Sequence, residues 1–250
     1  MANAKKTTLN ERIKGFASFL DRLFYPKGLA CVDCSTELTE EYRELSLCPK
    51  CLESLPYRDS RVCPICATYV PTAGVCPRCR NTEMPFEHTH SLFEYTGVIR
   101  NMLNNYKDND RPWLYEYIAK LLVPYALSLN LEVDYIFYVP SSPTALKLRG
   151  FEHAERVAKE LAKALKIPLL VPLKRIKKQG DQSKLTYAKR IENVQNAFVM
   201  RKDFDPSIIK DKRLLLYDDT MTTGATAMAC SKLLKKAGAK SITVITLARS

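Results

Sequence analysis

Two adjacent carboxylates, Asp218 and Asp219, follow the apolar run Leu214-Leu215-Leu216-Tyr217 and precede the loop Thr220-Met221-Thr222-Thr223-Gly224-Ala225-Thr226. Consecutive amides in such a loop can curl round an anion, and Thr222, Thr223 and Thr226 add hydroxyls. Gly224 lets the backbone approach closely, and the helix predicted to follow places its positive N-terminal end at the same spot. These are the parts of a cradle for a phosphate monoester. The loop is not a P-loop, because no Lys follows the glycine and the spacing differs. Carboxylates repel phosphate but accept hydrogen bonds from a vicinal diol. Asp218 and Asp219 beside a phosphate cradle therefore suit a ribose 5-phosphate, with the acids on the 2′- and 3′-hydroxyls and the loop on the 5′-phosphate. A plain strand end with a polar turn and an N-cap Thr accounts for one Asp and one Thr, but not for both acids and the whole loop.

Cysteine supplies the second chemistry. Eight of the nine cysteines form four C-x-x-C pairs: Cys31/Cys34, Cys48/Cys51, Cys63/Cys66 and Cys76/Cys79. In a chain without an export-signal core, four such pairs predict thiolate-bound zinc rather than disulfides. Two C-x-x-C turns complete a closed four-thiolate site with no open position, so the two zinc ions are structural. Two pairings fit. The sequential one places Cys31, Cys34, Cys48 and Cys51 on one ion and Cys63, Cys66, Cys76 and Cys79 on the other; a cross-braced one alternates the pairs. Short loops and local apolar filler (Val32, Leu38, Leu45, Leu47; Ile65, Tyr69, Val70, Val75) favour the sequential arrangement. His88 and His90 lie beyond the second block and read as bystanders, and Cys230 reads as a core residue.

The elements that must position these groups alternate beyond Phe93. A strand-to-helix segment (93–107) is followed by a helix from Arg111, with Pro112 near its start. A buried strand (134–140) leads into the loop Ser141–Gly150, and an amphipathic helix covers 151–165. A strand (167–177) enters a basic stretch. A polar segment, helical in part and ending in a strand (179–200), precedes the strand that carries the acids (212–219). A helix closed by Gly238 and a last strand (241–249) complete the chain. Strands alternating with helices predict a parallel α/β sheet that binds its ligand at the carboxyl ends of the strands. The expected organisation is an amphipathic helix over 1–26, a double-zinc module over 27–90 and the α/β domain over 91–250. The N-terminal helix, with Ile13, Phe16, Phe19, Leu20, Leu23 and Phe24 on one side, fits packing on its own protein better than contact with a membrane. No apolar run is long enough to span a bilayer, and a cytoplasmic location is expected.

The formal net charge is +12. The basic excess lies beyond His90, where 27 Lys/Arg face 16 Asp/Glu, against 12 and 11 before it. Such asymmetry fits a polyanionic partner or a phosphorylated small molecule, and it also fits simple solubility. The densest stretch runs from Val171 to Arg213, with 12 basic and 5 acidic residues. It includes Arg175, Lys177, Lys178, Lys184, Lys189 and Arg190, with Tyr187 available for stacking. This pattern suits single-stranded nucleic acid, and equally a solvated loop that closes over an anionic ligand.

At the Asp218–Thr226 stretch the sequence resembles the type I phosphoribosyltransferases, whose signature is an apolar strand, two acids and a Thr-Thr-Gly-x-Thr loop. More narrowly it resembles the ComF/GntX family, competence-associated proteins with a four-cysteine zinc module before such a domain. The likeness extends to Tyr95–Lys107, to Val139–Ala162 with Arg149-Gly150-Phe151, to Gln182, Leu185, Arg190, Asn193, Ala197 and Phe198, and to the final Leu247-Ala248-Arg249. It implies a phosphoribosyltransferase-like domain behind a zinc-ribbon or knuckle module, with phosphoribosyl pyrophosphate as ligand. Asp218, Asp219, Thr220, Thr222, Thr223, Gly224, Ala225 and Thr226 would hold the ribose 5-phosphate. Ser141, Ser142 and Arg149, with Lys147 near, would meet the pyrophosphate and its Mg²⁺. It further implies work in DNA uptake during natural transformation, beside a helicase-like partner; the basic stretch adds single-stranded DNA as an expected ligand. Two other readings stand beside this one: a phosphoribosyltransferase acting on a nucleobase or other acceptor, and a binding module with a vestigial site. No base-recognition element is found, and the intact Asp-Asp-Thr-Met-Thr-Thr-Gly-Ala-Thr argues against a vestigial site. Departures from the family pattern are Glu152-His153 in place of Asn-Gln, Tyr217 in place of Val, and Thr220-Met221 in place of an apolar pair.

Overall fold

The computed structural model describes residues 28–108, 111–176 and 196–250. The helix expected over 1–26 lies outside these. The chain divides into two compact units, Met1–Glu53 and Ser54–Ser250. The second four-cysteine block thus falls in the same unit as the sheet.

The two cysteine blocks are copies of one small motif. In the first, Cys31 N–H donates to Thr36 O (2.8 Å) and Ser35 N–H returns to Cys31 O (3.0 Å). In the second, Cys63 N–H donates to Thr68 O (2.8 Å) and Ala67 N–H to Cys63 O (2.8 Å). Ser35 and Ala67 both take the left-handed conformation (φ 63° and 54°) that such a turn requires. Each block then enters a one-turn helix at its second pair, α1 (Pro49–Glu53) and α2 (Pro77–Asn81). A proline follows the cysteine in both, at the position where a missing N–H costs nothing.

The second unit is built on a four-stranded, all-parallel sheet in the order β1 (His88–Glu94), β6 (Ser241–Arg249), β5 (Arg213–Met221), β2 (Tyr135–Tyr138). The central strands are buried on both faces, which is why they read as near-continuous apolar runs (Leu214 to Tyr217; Ile242, Val244, Ile245, Leu247, Ala248). The helices are α3 (Gly97–Asp108), α4 (Tyr115–Ser128), α5 (Pro143–Arg149), α6 (His153–Leu165) and α7 (Ala225–Lys236). α7 ends as Gly238 turns left-handed (φ 95°) while Ala239 N–H donates to Leu234 O. Arg213 fastens the strand starts, its backbone N–H and guanidinium both donating to Asp134 (2.7 and 3.2 Å).

Three expectations change. The segment Ser141–Gly150, read as a loop, contains α5, capped by Ser142 Oγ accepting from Ala145 N–H (3.1 Å) and ended by Gly150 at φ 71°. The strand expected over 167–177 is broken between two prolines. Leu169 makes a single parallel bridge to Ile136, and β3 (Leu173–Arg175) leaves to pair antiparallel with β4 (Phe198–Met200). Pro168 and Pro172 supply no N–H to a ladder, so a continuous strand cannot form there. Finally, β5 does not stop at the acids: it stays paired to β6 through Thr220↔Ala248 and Met221↔Arg249.

One core cluster joins Leu214, Leu216 and Val244 of the sheet to Ala227, Cys230 and Leu234 of α7, to Phe86, and to Cys63, Cys66, Cys76 and Cys79. The second cysteine block is therefore part of the core beneath α7. Cys230 is fully buried, as expected of a core residue.

Candidate functional site: a strand-end cleft with two separated acids

An open cleft of about 290 Å³ lies where β5 ends, lined by Asp218, Thr220 to Ala227, Val244 and Thr246. α7 starts directly from the loop, with Gly224 as N-cap at φ 75°. A Cβ at Gly224 would come within 2.5 Å of Met221 Cε, and the backbone conformation itself disfavours any side chain. Thr223 Oγ1 accepts from Ala225 N–H (3.3 Å), closing the first turn of the loop. The structure thus brings Asp218, Thr220, Thr222, Thr223, Gly224, Ala225 and Thr226 to one cleft.

Asp219 is not among the cleft's lining residues. Because β5 continues through both acids, their side chains alternate across the sheet. Asp218 shares its face with Leu216 and α7, whereas Asp219 shares its face with Tyr217. Asp219 Oδ2 pairs with Lys107 Nζ of α3 at 2.7 Å and lies 2.9 Å from His153 Nε2 of α6. Thr220 Oγ1 donates to Asp219 Oδ1 (3.1 Å). Burial by itself raises the Asp219 carboxyl, but Lys107 and His153 outweigh it and hold the group well below the usual carboxylate range. Lys107 is drawn down by burial and lifted further by Asp219, ending above its ordinary value. Among the described residues no cation stands within ion-pair distance of Asp218; it accepts from the Asp219 N–H (3.0 Å), and Lys107 acts on it only from further off. Burial first, and then the Asp219 charge, push its carboxyl well above the ordinary range. It is the acid still available to a ligand, and hydroxyl donors are what would stabilise its charged form.

The turn after β2 is held from within. Glu152 accepts from Ser141 N–H (2.9 Å) and from Ser141 Oγ–H (2.6 Å), and His153 Nδ1 lies 2.9 Å from Ser141 Oγ. Ser142 is engaged as the α5 cap, and Arg149 Nη1 stands 3.4 Å from His153 Nδ1. Ser141, Ser142 and Arg149 therefore cluster with Glu152 and His153, and a carboxylate occupies the amide and hydroxyl donors that a pyrophosphate oxygen would use. His153 links this turn to Asp219, and through it to the strand that carries the cleft.

The cysteine thiols group sequentially: within each set, Cys31/Cys34/Cys48/Cys51 and Cys63/Cys66/Cys76/Cys79, the sulfurs lie within 4.8 Å of one another. Zn–S bonds of about 2.3 Å place tetrahedral sulfurs about 3.8 Å apart. The Cys34–Cys48 and Cys66–Cys76 separations, 3.6 and 3.7 Å, are close to that spacing, one in each set. His88 and His90 belong to neither set. With four sulfurs per ion, no position is left for substrate, and the metal's contribution is to fold the motif.

Of the basic residues singled out for nucleic acid, Arg175 lies on β3 with its guanidinium 5.4 Å from the Phe198 ring centroid. Lys177, Lys178, Lys184, Lys189 and Arg190, with Tyr187, lie outside the described residues. Lys107, Arg78 and Arg249 were not marked as site residues by sequence. Lys107 and Arg249 each end a stretch that carries the family likeness, and Arg78 sits inside the last C-x-x-C. Their proximity to the site comes only from the tertiary fold. Among the described residues no helix is long and apolar enough to cross a membrane.

Residues 148–250 match the phosphoribosyl transferase domain, and residues 19–80 match the double zinc ribbon domain. The chain is 28% identical over 233 residues to Competence protein F of Haemophilus influenzae, covering 88% of this chain and 96% of that one. It is 26% identical over 208 residues to Competence protein ComFC of Streptococcus pneumoniae, covering 76% and 89%. It is 25% identical over 211 residues to DNA utilization protein YhgH of Salmonella typhimurium, covering 82% and 90%. The chain is thus similar over most of its length to these competence and DNA utilization proteins, and it carries a phosphoribosyl transferase domain behind a double zinc ribbon.

Proposed function

We propose that this protein binds phosphoribosyl pyrophosphate, or a related ribose 5-phosphate, in the cleft at the end of β5. The loop Thr222–Thr226 takes the 5′-phosphate and Asp218 takes the ring hydroxyls. The observation that carries this reading is the cleft itself: Asp218 and the whole loop Thr222–Thr226, with its three threonines, line it together. Asp219 acts one step removed, holding Lys107 and His153. The pyrophosphate end would meet Ser141, Ser142 and Arg149 and displace the Glu152 carboxylate from Ser141. Mg²⁺ would enter with the pyrophosphate, bridging its oxygens.

The basic stretch Arg175–Arg190 is the proposed contact for single-stranded DNA, through phosphates and base stacking. The names of the relatives, two for competence and one for DNA utilization, support a role in DNA uptake; a cytoplasmic location and a helicase-like partner are part of the proposal. The match of residues 148–250 to a phosphoribosyl transferase domain favours one second reading, transfer of the ribose 5-phosphate to a nucleobase or other acceptor. In that reading Asp218 would also stabilise the cationic sugar as pyrophosphate leaves. Incubating the zinc-loaded chain with labelled phosphoribosyl pyrophosphate, Mg²⁺, a panel of bases and a single-stranded oligonucleotide separates the readings. Ligand and oligonucleotide should both bind, the latter more weakly as salt rises, with no base-dependent release of pyrophosphate. Release that requires one particular base would establish the transferase instead. An oligonucleotide affinity indifferent to salt would remove the phosphate contacts.

A further inference from the structure

Every carbonyl on the back of the phosphate loop has a donor, and two of the donors are arginines. Arg249 Nη1 donates to Thr222 O at 2.7 Å and reaches Met221 O at 3.4 Å, where Ser250 N–H also donates. Arg78 Nη1 donates to Thr223 O, and its Nη2 rests on Met228 Sδ of α7 at 3.2 Å. Gly224 O accepts from Met228 N–H inside α7. In a trans peptide the C=O of one residue and the N–H of the next point in opposite directions. Holding the oxygens of Met221, Thr222 and Thr223 from behind therefore turns the N–H groups of Thr222, Thr223 and Gly224 towards the cleft that those residues line. Among the described residues these three amides have no partner.

Both arginines belong to the second cysteine motif or lie against it. Arg78 stands between Cys76 and Cys79, on the one-turn helix α2 that the metal closes. Arg249 is buried at the end of β6, within electrostatic reach of Cys66 and Cys76. The first motif has Lys50 at the place corresponding to Arg78, in Cys48-Pro49-Lys50-Cys51 against Cys76-Pro77-Arg78-Cys79. A lysine lacks the planar two-nitrogen fork that allows Arg78 to hold a carbonyl and a thioether at once.

We propose that Arg78 and Arg249 are positioning residues of the phosphate loop, and that the second zinc motif orients the loop's amides through them. The inference rests on reading the cleft as a ribose 5-phosphate site. It makes phosphate affinity depend on a metal that no ligand touches. It also accounts for the second motif sharing a core with α7.

Arg78 is exposed apart from its tip, so Arg78→Ala leaves the fold intact and isolates the effect. Calorimetric titration of the zinc-loaded full chain with ribose 5-phosphate should show affinity about tenfold weaker in Arg78→Ala, the loss of one charge-assisted hydrogen bond. Arg78→Lys should recover part of it. Zinc content, melting temperature and affinity for magnesium pyrophosphate, which does not use this loop, should match wild type in both variants. Wild type that binds ribose 5-phosphate while Arg78→Ala binds it equally well overturns the inference alone. Loss of zinc and of both ligands together in Arg78→Ala also overturns it, by making Arg78 a folding residue. Wild type that binds no ribose 5-phosphate at all overturns the reading of the cleft, and this inference with it.

Discussion

Asp219→Ala should lower the unfolding free energy of the Ser54–Ser250 unit by about 3–5 kcal/mol, the usual cost of removing one partner from a buried ion pair. The carboxylate is 4% exposed and is the shared partner of Lys107 and His153, from two different helices. Without it, a buried ammonium loses its counter-charge and α3, α6 and β5 lose their common tie. Asp218→Asn, one residue away, should change stability by less than about 1 kcal/mol, because Asp218 makes no ion pair and Lys107 keeps its close partner Asp219. Urea unfolding of the two variants measures the difference, and equal losses would contradict the assignment of the acids to opposite faces. The pH dependence has a definite sign. The Asp219 carboxyl is held below its unfolded value near 3.9, so its contribution is full above that pH. The contribution fades only in stronger acid, as pH falls towards the folded value. Wild type and Asp219→Ala should therefore differ most at neutral pH and converge in strong acid.

Stripping zinc should have an effect of similar size on the same unit. Cys63, Cys66, Cys76 and Cys79 are all buried and share a core with Phe137, Leu216, Val244 and Cys230. Four thiolates released there would carry uncompensated charge inside that core, and four thiols would leave the knuckle without its closure. A strong chelator, or Cys63→Ser alone, should lower the melting temperature by more than about 10 °C, since each kcal/mol moves a domain of this size by about 2–4 °C. Metal analysis of the untreated chain should return about two zinc ions. A chelated protein that melts as before would show that the second motif folds without its metal.

The features legible in the sequence were those that local chemistry dictates. Four C-x-x-C pairs announce tetrahedral metal; proline follows the first cysteine in three of them, and at Pro49 and Pro77 it opens α1 and α2. The run Leu214–Tyr217 announces a strand buried on both faces. The site was half legible. The loop Thr222–Thr226 stands at a strand end and a helix start, as its residue types require. Thr220 and Met221 have the residue types of a loop, so the sequence alone ends the strand at the acids and sets Asp219 beside Asp218 instead of behind it. Carrying the period of two through Met221 would have separated them. The partners of Asp219 were not legible, because Lys107 and His153 reach it only through the strand order β1-β6-β5-β2. Arg78 was hidden for the same reason: nothing local distinguishes it from Lys50, and only the fold lays one motif against the phosphate loop.

The central claim is that the Asp218 carboxylate and the Thr222–Thr226 loop hold the two ends of one sugar phosphate. Calorimetric titration of the zinc-loaded chain with ribose 5-phosphate, and then with 2-deoxyribose 5-phosphate, tests it most directly. Wild type should bind the ribose form about tenfold more tightly, one charged hydrogen bond's worth, and Asp218→Asn should erase the preference while still binding the phosphate. Equal affinity of wild type for the two sugars, or a preference that survives in Asp218→Asn, would contradict the account.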